Sequence, residues 1–135
     1  MNKPVFRKID CYMLNASNLE AAIEFYSTRL GLRLVWRNES AAGFALPETD
    51  AELVVHSALG PETDLLVDDV THAYSQLLSA GATSIRPPFD KAIGLCAVVK
   101  DPFGNVLTIL DQSKGKLETD ETKTVTGVKP RLSAG

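Results

Sequence analysis

Cysteine and histidine, the side chains that most readily hold a soft ion, are few in this chain and lie far apart in the sequence. There are two cysteines, Cys11 and Cys96, and two histidines, His56 and His72. No histidine adjoins Cys11, and the cysteines form no C-x-x-C pair, so we interpret Cys11 as a small apolar wall residue rather than a nucleophile. Cys96 is expected to be a packed thiol in a strand, and His72 to lie on the polar side of a helix.

Two residues retain a functional and a structural interpretation. His56 is either a polar strand end bonded to a neighbouring loop or a ligand contact. Glu62 is either a solvated residue of the Gly60-Pro61-Glu62 turn or an acid or base in a cavity. Both remain candidate catalytic residues.

The amino-acid composition limits the classes of protein to which this chain can belong. The 135 residues are 44% hydrophobic and 23% charged, with a net charge of −3, which is typical of a globular chain and lacks the basic patch of a nucleic-acid binder. No apolar run suggests a signal peptide or a membrane span. With only two cysteines, we predict a cytoplasmic protein without nucleic-acid or membrane partners.

The pattern of apolar residues and turn signals predicts strands and helices in a repeated order. Asn18 and Asp69 are predicted helix N-caps, and Gly31 and Gly81 end the two helices. Pro87-Pro88-Phe89 is expected to be a rigid loop. The predicted strands cover residues 9–15, 32–37, 43–46, 52–57, 63–67, 83–86, 95–100 and 106–111.

The order β-α-β-β-β therefore occurs twice. An offset of 51 residues places Leu14 on Leu65 and Ala22 on Ala73. A unit of about fifty residues cannot cover both faces of its sheet alone, so we expect the two copies to pack together, within the chain or across a homodimer. Residues 113–135 hold five Lys or Arg against three Asp or Glu and lack a sustained period, which predicts a polar C-terminal tail.

One turn motif gives the doubled pattern a family resemblance. The segment Asp101-Pro102-Phe103-Gly104-Asn105 precedes an apolar strand, and Val67-Asp68-Asp69-Val70 opens the second helix. With the Leu30-Gly31-Leu32 helix end, these features resemble the vicinal oxygen chelate superfamily, which includes glyoxalase I, extradiol dioxygenases, fosfomycin-resistance enzymes and bleomycin-binding proteins. The resemblance implies an α+β fold of two βαβββ modules, about 6–57 and 61–112, forming a curled, cup-shaped mixed sheet.

The resemblance also implies four metal-ligand positions. Carried over one by one, they fall on Cys11, Val54, Glu62 and Thr108. Valine offers no donor atom and neutral threonine replaces a carboxylate, so no metal cofactor is expected. Cys11, His56 and Glu62 remain a weak alternative set for a soft ion such as zinc. The predicted ligand pocket contains Cys11, Met13, Val54, His56, Glu62 and Thr108.

These observations favour a small-molecule binding protein of the glyoxalase/bleomycin-resistance type, acting as a homodimer. Two enzyme hypotheses stay open. One is a metal-dependent lyase, isomerase or oxygenase, and the other is a metal-free acid/base enzyme that uses Glu62 or His56.

Overall fold

The computed structural model describes residues 3–130, and its secondary structure follows the predicted order through residue 110. The α+β class and the two βαβββ modules are confirmed. The strands are β1 (Lys8–Asn15), β2 (Arg33–Arg37), β3 (Ala41–Leu46), β4 (Thr49–His56), β5 (Glu62–Leu66), β6 (Thr83–Asp90), β7 (Leu95–Lys100), β8 (Val106–Leu110), β9 (Gly115–Thr119) and β10 (Val125–Pro130); the helices are α1 (Leu19–Ile23), followed by a π-helical segment (Glu24–Arg29), and α2 (Val70–Ser79).

The chain divides into two compact units. The N-terminal unit consists of Asp10–Thr63 and Leu117–Gly127. The C-terminal unit consists of Asp64–Lys116 and, among the described residues, the flanking segments 3–9 and 128–130.

Each unit builds its sheet in the same way. In the N-terminal unit β1 pairs in parallel with β4, while β4, β3 and β2 follow one another antiparallel. In the C-terminal unit β5 pairs in parallel with β8, and β8, β7 and β6 are antiparallel. Met13 lies opposite Val54 in the first unit, and Asp64 lies opposite Thr108 in the second. This shared register confirms the sequence repeat.

Equivalent positions also form the two cores. Ala22, Ala42 and Val55 are buried together in the N-terminal unit with Phe44, which has no exposed surface. In the C-terminal unit the corresponding cluster contains Val67, Val70, Ala73, Ala97 and Ile109. Because strand side chains alternate between faces, these clusters lie on the side of each sheet that the helix covers.

The predicted helix ends are confirmed. The Asn18 side chain accepts a hydrogen bond from the Ala21 amide at 3.0 Å, and that of Asp69 accepts from the His72 amide at 2.9 Å. Gly31 and Gly81 have φ angles of 78° and 118°, where side chains are disfavoured. The first helix differs from prediction after Ile23, because it widens into a π-helical turn in which the Leu30 amide donates to the Phe25 carbonyl. Apolar spacing does not distinguish these two helix types.

The expected loop at Pro87-Pro88-Phe89 is wrong, because these residues belong to β6. The strand register shifts between Arg86 and Phe89, so the prolines occupy an irregular stretch where an amide donor is not required.

The predicted polar tail also contains regular structure. β9 and β10 pair as a two-stranded sheet, and the side chain of Asp120 accepts hydrogen bonds from the Thr122 and Thr124 amides in the connecting turn. Their large apolar residues are only Leu117 in β9 and Val125 and Val128 in β10, which explains why an apolar period did not reveal these strands. Within residues 3–130, no helix is long and apolar enough to cross a membrane.

Candidate functional site

Three of the predicted pocket residues meet on one face of the N-terminal sheet. Leu14 and Val55 face the helix, so their neighbours Met13 and Val54 point to the opposite face. There Cys11 and Val54, which are 6% and 3% exposed, are buried with Ala41. Half-buried Met13 and Trp36 pack against them. We call these five residues the Cys11–Val54 cluster.

A hydrogen bond crosses the sheet beside this cluster. The Trp36 indole Nε1 on β2 donates to Oε1 of Glu52 on β4 at 2.7 Å, passing over Gly43 on the intervening strand. A Cβ atom at Gly43 would overlap the indole ring and lie 2.8 Å from Glu52 Oε1. Sequence reasoning missed Glu52, although strand alternation places it on the same face as Val54 and its register partner is Cys11.

Replacing Gly43 by alanine is expected to break the Trp36–Glu52 hydrogen bond and lower the free energy of unfolding by about 1–3 kcal/mol, the usual effect of overpacking. Trp36 is the only tryptophan, so its emission spectrum reports the change directly. Gly127→Ala is the matched control, since its Cβ would have its nearest neighbour at 4.0 Å. Identical emission spectra in wild type and Gly43→Ala would contradict this arrangement.

His56 lies at the end of β4 and has a structural contact. Its Nδ1 accepts hydrogen bonds from the Ala58 and Leu59 amides, both at 3.0 Å. The Asn15 side chain donates to the His56 and Leu59 carbonyls, each at 3.3 Å. These contacts support the interpretation of His56 as a polar strand end bonded to a neighbouring loop. Its Nδ1 already accepts two hydrogen bonds.

The remaining predicted residues occupy other positions. Glu62 is half-buried and begins β5 rather than standing in a turn. Thr108 is buried in the C-terminal unit, in register with Asp64 and Val98. The structure therefore groups Cys11, Met13 and Val54, and a single pocket containing all six predicted residues stays a prediction.

The four positions that the family resemblance assigns to a metal do not fit one. Val54 has no donor atom, Thr108 is neutral, and the Nδ1 of the nearby His56 is engaged by two amides. Among residues 3–130, no three His, Cys, Asp or Glu side chains group as a potential metal site. Two of the four positions therefore lack a side chain that ligates a metal strongly.

The motif that indicated the family forms a closed turn between β7 and β8. Asp101 Oδ1 accepts from the Phe103 and Asn105 amides at 2.9 and 2.8 Å, and Oδ2 accepts from the Asn105 side chain at 2.9 Å. The hydrogen bonds from Asn105 are the main cause of the lowered pKa of Asp101. Gly104 adopts the predicted positive φ, at 96°.

The comparison with known families agrees with this geometry. The profile of the Glyoxalase/Bleomycin resistance protein/Dioxygenase superfamily matches residues 8–109. The chain belongs to this superfamily. No curated protein in the sequence comparison matches it significantly.

Solved structures show how widely this superfamily fold is shared. A hypothetical protein from Bacillus halodurans C-125 matches with a TM-score of 0.66 and 14% identity, covering 84% of this chain and 97% of its own. Methylmalonyl-CoA epimerase from Mycobacterium tuberculosis matches with a TM-score of 0.62 and 19% identity, covering 82% of this chain and 91% of its own. The 2,3-dioxygenase LapB from Pseudomonas sp. KL28 has a TM-score of 0.57 and 13% identity, covering 94% of this chain but 44% of its own. At these identities the likeness shows the fold alone.

Proposed function

We propose that this superfamily member binds a small organic molecule at the Cys11–Val54 cluster, without a metal ion. The observation that carries the proposal is the chemistry of two positions where the resemblance implies metal ligands. They hold Cys11 and Val54, which are buried in an apolar cluster with Ala41. A site built in this way gains affinity from burial of apolar surface rather than from coordination.

The half-buried members of the cluster supply the contact surface. Met13 has a flexible side chain that adapts to irregular ligand shapes, and Trp36 offers a rigid aromatic ring. The Trp36–Glu52 hydrogen bond holds that ring in place and puts a carboxylate at its edge. These features favour a ligand with a flat apolar portion and a positively charged or N–H-bearing group.

Metal-free bleomycin, which carries both features, is a suitable probe, and Trp36 fluorescence is the readout. We expect Met13→Lys to weaken binding at least about tenfold, because a partly desolvated cation would face the ligand and disrupt the apolar contact. Tyr12→Lys is the matched control. Tyr12 adjoins Met13 on β1, points to the other face and is 45% exposed.

Two results would overturn the proposal. One is equal loss of binding in both lysine variants, since the binding surface would then not be the face that carries Met13. The other is no saturable fluorescence change with bleomycin, together with a melting temperature that rises by several degrees on addition of zinc, manganese or nickel. That second result would favour the metal-dependent enzyme hypothesis.

A further inference from the structure

The C-terminal unit contains a cavity of about 440 Å³ whose lining includes no residue of the Cys11–Val54 cluster. Its walls come from the end of β5, from Gln112 and from the two strands that follow the superfamily match. Leu66 and Pro130 provide apolar surface, and Lys116 and Lys129 lie at its border. The volume is in the range of sites that take small organic molecules.

Positively charged residues outnumber negatively charged ones in the lining of the cavity. Its one carboxylate, Asp68, is already paired with Lys3 Nζ at 3.1 Å and with Arg7 Nε at 3.7 Å. Lys116 and Lys129, by contrast, take part in none of the ion pairs formed within residues 3–130. The cavity therefore borders two ammonium groups that form no ion pair within residues 3–130.

A neighbouring lysine in the segment between β8 and β9, Lys114, does form an ion pair. Lys114 Nζ contacts Asp90 Oδ1 at 2.7 Å and donates to the Lys91 carbonyl. Only two residues further on, Lys116 borders the cavity instead. Gln112 adds a side-chain amide that can donate to an oxygen of a bound anion.

We infer that this cavity binds a small organic anion, with its carboxylate at Lys116 and Lys129 and its apolar portion against Leu66 and Pro130. Gln112, Lys116, Lys129 and Pro130 all follow the matched range 8–109, so superfamily membership does not assign this site. The inference is independent of the proposed ligand of the Cys11–Val54 cluster.

Titration calorimetry with 4-phenylbutyrate and its uncharged amide, 4-phenylbutyramide, tests the inference. The two probes share size and apolar surface and differ in charge. We expect wild type to bind the carboxylate at least about fivefold more tightly than the amide, which corresponds to about 1 kcal/mol for one exposed ion pair. Raising the salt concentration should reduce this preference.

Lysine variants locate the charge effect. The double variant Lys116→Gln, Lys129→Gln should lose the preference for carboxylate over amide, while retaining the wild-type melting temperature because both side chains lie at the surface. Lys100→Gln removes an exposed lysine of the same unit that does not border the cavity, and it should keep the preference.

Three results would overturn the inference: equal affinity of wild type for the two probes, no binding of 4-phenylbutyrate, or equal loss in Lys100→Gln and the double variant. Met13→Lys should leave 4-phenylbutyrate binding unchanged, so failure of this inference is distinguishable from failure of the proposed function.

Discussion

Replacing Asp111 by alanine is expected to lower the free energy of unfolding by about 3–5 kcal/mol, because one buried and three partly buried hydrogen bonds would be lost together. Asp111 is 2% exposed and follows β8. Its Oδ2 accepts from the Val70 amide at the start of α2 at 2.9 Å. Its Oδ1 accepts from the Leu95 amide at 2.9 Å and from the Ser113 amide and hydroxyl at 3.1 and 2.6 Å. Urea unfolding followed by circular dichroism measures the loss.

The Asp111 site gives a second readout in the pH dependence of stability. Burial by itself would raise the pKa of Asp111, but the hydrogen bonds from Ser113, Leu95 and Val70 outweigh it and hold the pKa below the ordinary value of 3.8. The unfolded chain therefore takes up this proton at higher pH than the folded chain. The stabilisation is complete above the ordinary pKa and is lost as pH falls through it towards the folded value. Asp111→Asn should show a smaller loss of stability below about pH 4 than wild type does.

An exposed carboxylate of the same unit is the control for Asp111. Asp90 pairs with Lys114, but its side chain is 79% exposed. Asp90→Ala should therefore change stability by at most about 1 kcal/mol. An Asp111→Ala variant as stable as Asp90→Ala would contradict the role that we assign to the buried carboxylate.

Replacing Phe44 by alanine is expected to destabilise the N-terminal unit by about 3–5 kcal/mol, since it removes a large buried ring and leaves a cavity. Phe44 on β3 has no exposed surface, and its ring lies 5.7 Å from that of Tyr26 in the π-helical segment. The helix thus depends on this ring for part of its packing against the sheet. Thermal unfolding followed by calorimetry measures the effect.

Phe103→Ala is the control for Phe44→Ala, because it removes the same aromatic ring at a position that is almost fully exposed. Phe103 is 86% exposed at the turn between β7 and β8. Its removal should alter the free energy of unfolding by no more than about 0.5 kcal/mol. Comparable losses in the Phe44 and Phe103 variants would show that the described core of the N-terminal unit is wrong.

The features that sequence predicted well depend on neighbours along the chain. Asn18 and Asp69 cap helices because each side chain reaches an amide three residues later. Gly104 takes a positive φ because the five-residue turn from Asp101 to Asn105 requires that backbone conformation. The repeat is similarly accessible, since equivalent apolar residues such as Leu14 and Leu65 recur at an offset of 51 residues in the first strand and helix of each module.

The features that sequence missed depend on register and on distant partners. Strands β9 and β10 contain few large apolar residues and are stabilised by each other and by their turn, so their composition alone indicated a tail. Asp111 looked like the last residue of a strand, whereas its carboxylate joins α2, β7 and the segment after β8.

The sequence by itself determined the order of elements through β8 and their caps and turns, because each of these is a property of local pattern or residue type. Only the tertiary structure decided which polar groups pair. Trp36 reaches Glu52, sixteen residues away, because the register of β2, β3 and β4 brings them together over Gly43, where a larger residue would leave no room for the indole. Such a contact depends on backbone positions in three strands at once, and no local pattern of residues encodes it.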